Sequence, residues 1–244
     1  MRKPQMILFD YGHTLIGEPG FDSVRGTAAV MRRAVKNPRN LTPEQVQQFA
    51  DELFFGVYRQ ARDLGLEPHN WQFSRLLYEF LRIEFDAPLA EIEQIFWDSA
   101  APGIAMPYVD EALAYLRRRG IRTGVISNIG FSGSALTARL NRLLPEHSWE
   151  FVIASSEYLL RKPARMLFEL ALRKADLCAG DVWFCGDSPV ADIAGAASAE
   201  IFPVWYENVT MENLWKEKGG VAPTVEHLHI HDWQELITAL ERLP

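Results

Sequence analysis

The chain has 244 residues, enough for one large domain or a core domain carrying a smaller insert. Hydrophobic residues make up 48% and charged residues 23%, which excludes a disordered or fibrous chain. A formal charge of −7 with no basic block argues against nucleic acid as the main partner. The two cysteines, Cys178 and Cys185, form no metal motif, and Cys185 in its apolar run reads as a buried, reduced thiol. The opening apolar run, Met6 to Phe9, is too short for a signal peptide, and no stretch approaches a membrane span. The expected setting is therefore the cytoplasm, with no membrane partner. Oligomeric state is not readable from the chain.

Met6 to Asp10 reads as a buried strand. From residue 17 to 105 the chain carries no convincing strand signal. Thr42-Pro43-Glu44-Gln45 has the form of an N-cap, a Pro at N1 and a capping-box Gln. Val46, Phe49, Ala50, Leu53, Phe54 and Val57 then form a helical stripe, and Phe73, Leu76, Leu77, Phe80 and Leu81 form another. Ile92, Ile95 and Phe96 continue the trend. Turn-forming residues flank this block, at Gly17-Glu18-Pro19-Gly20 and at Ala101-Pro102-Gly103. The reading is an all-helical cap over residues 17–105, inserted into a core of residues 1–16 and 106–244.

The rest alternates strand and helix. Ile121 to Ser127, Phe151 to Ser155, Val182 to Gly186 and Ile201 to Trp205 read as buried strands. Val109, Ala112, Leu113 and Leu116 fall at helical spacing, as do Phe168, Ala171, Leu172 and Ala175. Repeated βα units predict an α/β fold, a Rossmann-like doubly wound and mostly parallel sheet. In such sheets ligands bind outside the carboxyl ends of the strands. The polar residues at those ends are Asp10, Ser127 with Asn128, and Asp187 with Asp192 five residues on. Lys162 stands at the start of a helical pattern.

Each of these alone reads more readily as a cap, turn or solvated helix-start residue. Together they describe one chemistry. A carboxylate can attack phosphorus and form an acyl-phosphate. Oxygen ligands from Asp10 and Asp187 suit Mg²⁺, which reconciles two negative groups. The Ser127 hydroxyl can bond phosphoryl oxygens, and Lys162 can neutralise transition-state charge.

At this point the sequence resembles the haloacid dehalogenase superfamily. Phe9-Asp10-Tyr11-Gly12-His13-Thr14-Leu15 is similar to its first motif and Ser127-Asn128 to its second. Arg161-Lys162-Pro163 is similar to the third, and Gly186-Asp187-Ser188-Pro189-Val190-Ala191-Asp192 to the fourth. The helical block takes the place of the family's C1 cap. The resemblance implies Asp10 as nucleophile and Mg²⁺ ligand, with the Gly12 carbonyl, Asp187 and Asp192 as further ligands. Ser127 and Lys162 hold the phosphoryl group. Thr14 orders the loop and, with Asn128 and His13, borders a small phosphorylated substrate.

One position departs from the pattern. Most phosphatases of this family carry a second Asp two residues after the nucleophile, which moves a proton; here that residue is Gly12. Three readings stay open. A hydrolase could carry the proton on His13 or a cap residue. A phosphonate-cleaving enzyme could use a cap lysine, for which Lys36 is the candidate. A phosphate-binding protein would need little turnover. Dehalogenating relatives also lack the second Asp, but they need no metal, and Asp187 and Asp192 argue against that route. The cap arginines Arg59, Arg62, Arg75 and Arg82 could meet an anionic substrate or be solvated. Trp71, Phe73, Tyr78 and Phe80 read mostly as helix packing, and Trp205 and Tyr206 are placed at the entrance.

Overall fold

The structure, a computed structural model, describes residues 2–208 and 222–243. Its strands in chain order are β1 (Met6–Phe9), β2 (Ile16–Gly17), β3 (Ala34–Lys36), β4 (Glu84–Phe85), β5 (Ile104–Ala105), β6 (Arg122–Ser127), β7 (Val152–Ala154), β8 (Val182–Gly186), β9 (Phe202–Tyr206) and β10 (Leu228–Ile230). Its helices are α1 (Ser23–Met31), α2 (Pro43–Leu53), α3 (Arg59–Asp63), α4 (Asn70–Leu81), α5 (Leu89–Ala100), α6 (Val109–Arg118), α7 (Gly133–Leu143), α8 (Arg165–Ala175), α9 (Gly195–Ser198) and α10 (Trp233–Glu241).

Six strands pair in parallel in the order β10-β9-β8-β1-β6-β7. Side chains alternate across a strand, so β1 feeds two cores. Ile7 and Phe9 join Val125, Trp183 and Val204 against α6, α7 and α10. Met6 and Leu8 join Ile126 and Phe184 against α8 and α9. Coverage on both faces is why these strands read as continuous apolar runs. The five strands expected from the sequence are present with ends shifted by a residue or two. β10 was not expected, although His227-Leu228-His229-Ile230-His231 alternates polar and apolar residues at the period of a strand.

The helical block has its own core, built on Val30, Val46, Ala50, Leu77, Leu81 and Ile92. Thr42 caps α2 as its sequence predicts: its side chain accepts from Gln45 N, and Gln45 Oε1 accepts from Thr42 N at 2.9 Å. Two expectations need correction. The region is not free of strands, since β3 pairs antiparallel with β4 inside it, and β2 pairs with β5 where the chain enters and leaves. These strands have two or three residues and partners far along the chain, so no local period marks them. The α2 stripe also does not run on as a regular helix. Phe54–Tyr58 is a π-helical turn, with the Arg59 N–H reaching back to the Phe54 carbonyl. It leaves Val57 58% exposed and turns Phe54, Phe55 and Tyr58 onto a cavity beneath the block. Among the described residues, no helix is long and apolar enough to cross a membrane.

Candidate active site

β1, β6 and β8 lie side by side and end at the same edge, so their last residues converge. Asp10 continues β1, its N–H donating to the Cys185 carbonyl at 2.9 Å. Lys162 enters from the loop before α8 and is 4% exposed. Its ammonium donates to Asp10 Oδ1 at 2.7 Å, Asp192 Oδ1 at 2.6 Å and the Ile126 carbonyl at 2.8 Å. It also lies 5.0 Å from the centre of the Phe184 ring. Burial works against this charge, yet the two carboxylates outweigh it and hold the Lys162 pKa above its ordinary value.

Asp192 is fixed at both oxygens, since Oδ2 accepts from the Ser188 N–H at 2.9 Å. Ser188 itself caps the turn that carries Asp192, its side chain accepting from Ala191 N. Gly186 is required just before Asp187, because a Cβ there would overlap the Asp192 carboxyl. Asp10, Asp187 and Asp192 each offer an oxygen within 4.8 Å of the others. Burial raises the Asp187 carboxyl well above its ordinary pKa, and the charges of Asp192 and Asp10 add to this. Burial likewise raises Asp192, against the pull of Lys162. One ammonium among three carboxylates leaves uncompensated negative charge. Hard oxygen donors in such a field fit a divalent cation such as Mg²⁺.

These residues form the floor of a cavity of about 680 Å³, within the range of small-molecule sites. Gly12, His13, Ser127 and Asn128 line it with them, and the roof comes from the helical block. Asn128 faces this space, but its amide is engaged elsewhere. It donates to the Lys162 carbonyl at 2.9 Å and accepts from the Lys162 N–H at 2.7 Å, so it fixes the lysine's backbone. Thr14 is fully buried and off the cavity wall, and its Oγ1 has no hydrogen-bond partner among the described residues. The substrate contact expected of Thr14 is therefore corrected to a place inside the loop. His13 holds left-handed backbone (φ 59°), and its N–H donates to the Ile16 carbonyl.

Of the four cap arginines, Arg62 reaches the cavity; Arg59, Arg75 and Arg82 are exposed away from it. Arg62 pairs with the fully buried Glu67 at 2.8 Å, which also takes Arg161. Lys36 is exposed on β3, paired with Glu84 at 2.5 Å and off the cavity wall. A Schiff-base role for Lys36 is thereby set aside. Trp205 and Tyr206 do not border the entrance. Trp205 Nε1 donates to the Asp187 carbonyl at 3.0 Å from behind, and Tyr206 stacks on Trp233 in the core. Phe73 and Tyr78 line the cavity, Trp71 donates to Glu93 at 2.9 Å, and Phe80 is exposed.

Besides Glu67, sequence reasoning missed two further buried charges that join core to cap. Arg139, on the apolar face of α7, bonds Tyr11 Oη at 2.6 Å, Asp98 at 2.9 Å, Glu18 at 3.0 Å and the Ala101 carbonyl. Glu93, on the apolar face of α5, accepts from Ser132 N at 3.0 Å and from Asn70 and Trp71. An ionisable residue inside an apolar helical stripe is the signal that could have found both.

A sequence model of the haloacid dehalogenase-like hydrolases matches residues 4–200. The chain belongs to the haloacid dehalogenase-like hydrolase family. It is 24% identical over 206 residues to a ribulose-1,5-bisphosphate 5-phosphatase of Halopiger xanaduensis, covering 82% of this chain and 84% of that protein. Its fold is that of a HAD phosphatase from Thermococcus onnurineus (TM-score 0.64, 18% identity, 98% of each chain). It is also that of a 2-haloacid dehalogenase from Pseudomonas syringae pv. Tomato DC3000 (TM-score 0.61, 21% identity, 99% of each chain). One fold thus serves both chemistries, and the residues must decide between them.

Proposed function

We propose that this hydrolase cleaves small phosphate monoesters, with Asp10 as nucleophile and Mg²⁺ as cofactor. The observation that carries this reading is the Asp10–Asp187–Asp192 cluster around Lys162 at the cavity floor. Asp10, Asp187 and Asp192, with the Gly12 carbonyl, would hold the ion. Bound there, Mg²⁺ supplies charge neutralisation between the carboxylates and a phosphoryl group.

The chain's own residues account for the rest. Lys162 orients the Asp10 carboxylate and offsets charge on the phosphoryl oxygens. The Ser127 hydroxyl bonds the same oxygens. Asp10 attacks phosphorus, the ester oxygen leaves, and an aspartyl-phosphate forms; water then releases inorganic phosphate and restores Asp10. Asn128 keeps Lys162 in register through both of its backbone groups. The leaving oxygen needs a proton that Gly12 cannot give, so turnover is slow unless the substrate's leaving group is already acidic.

The roof favours one substrate class. Phe54, Tyr58, Phe73 and Phe96 face the cavity, while the charge of Arg62 is committed to Glu67. This wall suits an apolar or aromatic leaving group better than a second phosphate. The test is phosphate release by the purified protein in Mg²⁺ over aryl phosphates, sugar phosphates, sugar bisphosphates and 2-haloacids. Aryl phosphates should turn over fastest, and Asp10→Asn should lower the rate by about 10³-fold or more. Halide release, or phosphate release untouched by Asp10→Asn, would sink the reading. A flat panel with measurable Mg²⁺ binding would point to a phosphate binder.

A further inference from the structure

In His227-Leu228-His229-Ile230-His231 the middle histidine lies on the edge strand β10 and the other two flank it, with the His229 ring 6.1 Å from that of His227 and 4.5 Å from that of His231. Beside it, Glu207 follows β9, its N–H donating to the Ile230 carbonyl at 2.9 Å. That bond sets the Glu207 carboxylate among the imidazoles. Glu207 Oε2 lies 2.9 Å from His229 Nε2, and ligand atoms of Glu207, His229 and His231 all fall within 4.8 Å of one another. None of the three lines the catalytic cavity.

We infer that Glu207, His229 and His231 form a second metal site, for a borderline-soft divalent cation of the Zn²⁺ class, at the outer edge of the sheet. Two imidazoles and one carboxylate are a ligand set that suits Zn²⁺, Ni²⁺ or Co²⁺ and not Mg²⁺, which prefers oxygen alone. The surroundings have the features of a supporting shell. The His229 ring is stacked on Trp205 with centroids 4.2 Å apart and planes 16° apart, which fixes its orientation. Glu235 Oε2 accepts from the His231 N–H at 2.7 Å and lies 3.5 Å from His231 Nδ1, where it can orient that ring. His227 packs edge-on against the other side of this cluster, 5.8 Å from Trp205. A cation here would clip the end of β9 to β10, an edge otherwise held by three residues of pairing. It would also fix Trp205, whose indole N–H holds the Asp187 carbonyl.

The experiment is calorimetric titration of the untagged, chelator-treated full chain with Zn²⁺ in excess Mg²⁺, repeated with Co²⁺ followed by its visible absorption. One equivalent is expected to bind to the wild type and to Asp187→Asn. His229→Ala with His231→Ala should weaken it by roughly 100-fold, and Glu207→Gln alone by roughly 10-fold. Circular dichroism establishes that each variant is folded, and Glu207→Gln serves if the double variant is not. The inference is overturned if wild type takes up no Zn²⁺, if the histidine variant binds as wild type does, or if binding is lost in Asp187→Asn instead.

Discussion

Gly12 and Asn128 carry the most information at the scale of single residues. A Cβ added at Gly12 meets nothing within 4 Å, so the absence of an acid there has no steric cause. A side chain there would start into open space on the cavity wall that Asp10 also lines. If phosphoryl transfer runs through Asp10 and lacks only a proton carrier, Gly12→Asp should raise kcat on poor leaving groups. The expected gain is about 10²-fold, at the low end of general acid–base effects. Steady-state kinetics on an alkyl and an aryl phosphate would measure it, with the larger gain on the alkyl ester. No gain on either would mean that another group already moves the proton. Asn128 illustrates a different point, that a residue can sit on the cavity wall and act mainly through its neighbour.

Among the elements, α7 does most to join the two halves. Its stripe of Ala135, Leu136 and Leu140 packs in the main core, and Arg139 lies on the same face, fully buried. The guanidinium sits 4.5 Å above the Trp97 ring and reaches the loop after β1, the entry to the cap and its exit. Removing it would take the donor from the Tyr11 hydroxyl and the buried cation from Glu18, which would keep only neutral donors in Tyr11 and Trp97, while Asp98 would keep Arg142. The Tyr11 hydroxyl is already pushed up in pKa, first by burial and then by the charge of Glu18. Arg139→Ala should therefore cost about 3–5 kcal/mol, the range for breaking a buried ion pair. Urea unfolding measures it, and a loss under about 1 kcal/mol, typical of a surface pair, would contradict this account. The capping box of α2 was readable because both partners lie within four residues. The Arg139 cluster was not, since its partners come from residues 11, 18, 98 and 101.

For the whole molecule, the dominant feature is negative charge gathered at the meeting of core and cap. Burial, with Asp10 adding to it, raises the Asp187 and Asp192 carboxyls. The folded chain therefore holds protons that the unfolded chain has released, and ionising these groups in the native state subtracts stability. That penalty is full above the raised pKa values and disappears once pH falls below the ordinary carboxylate range. In EDTA at pH 7, Asp187→Asn should melt at a higher temperature than wild type. The gap should close as the pH is lowered and Asp187 takes up its proton. Mg²⁺ should raise the wild-type Tm at pH 7 and leave the variant nearly unchanged. Differential scanning calorimetry across pH and Mg²⁺ reads both effects, and equal Mg²⁺ shifts in the two proteins would remove Asp187 from the metal site.

The sequence by itself determined the parallel α/β sheet, the helical block between its first two strands, and the strand-end residues from Asp10 to Asp192. These were legible because buried strands, helical stripes and short motifs are local patterns, and strand ends in such a sheet converge by topology. Tertiary structure decided what depends on contacts between distant segments. It gave β10 and the two short ribbons their partners, and turned Phe54 and Tyr58 into the cavity through a π-helical turn. It placed Trp205 behind Asp187 and Lys36 outside the site, and it assembled the buried charges around Arg139 and Glu93. Each of these rests on long-range pairing or burial, which a single chain read residue by residue does not encode in its spacing.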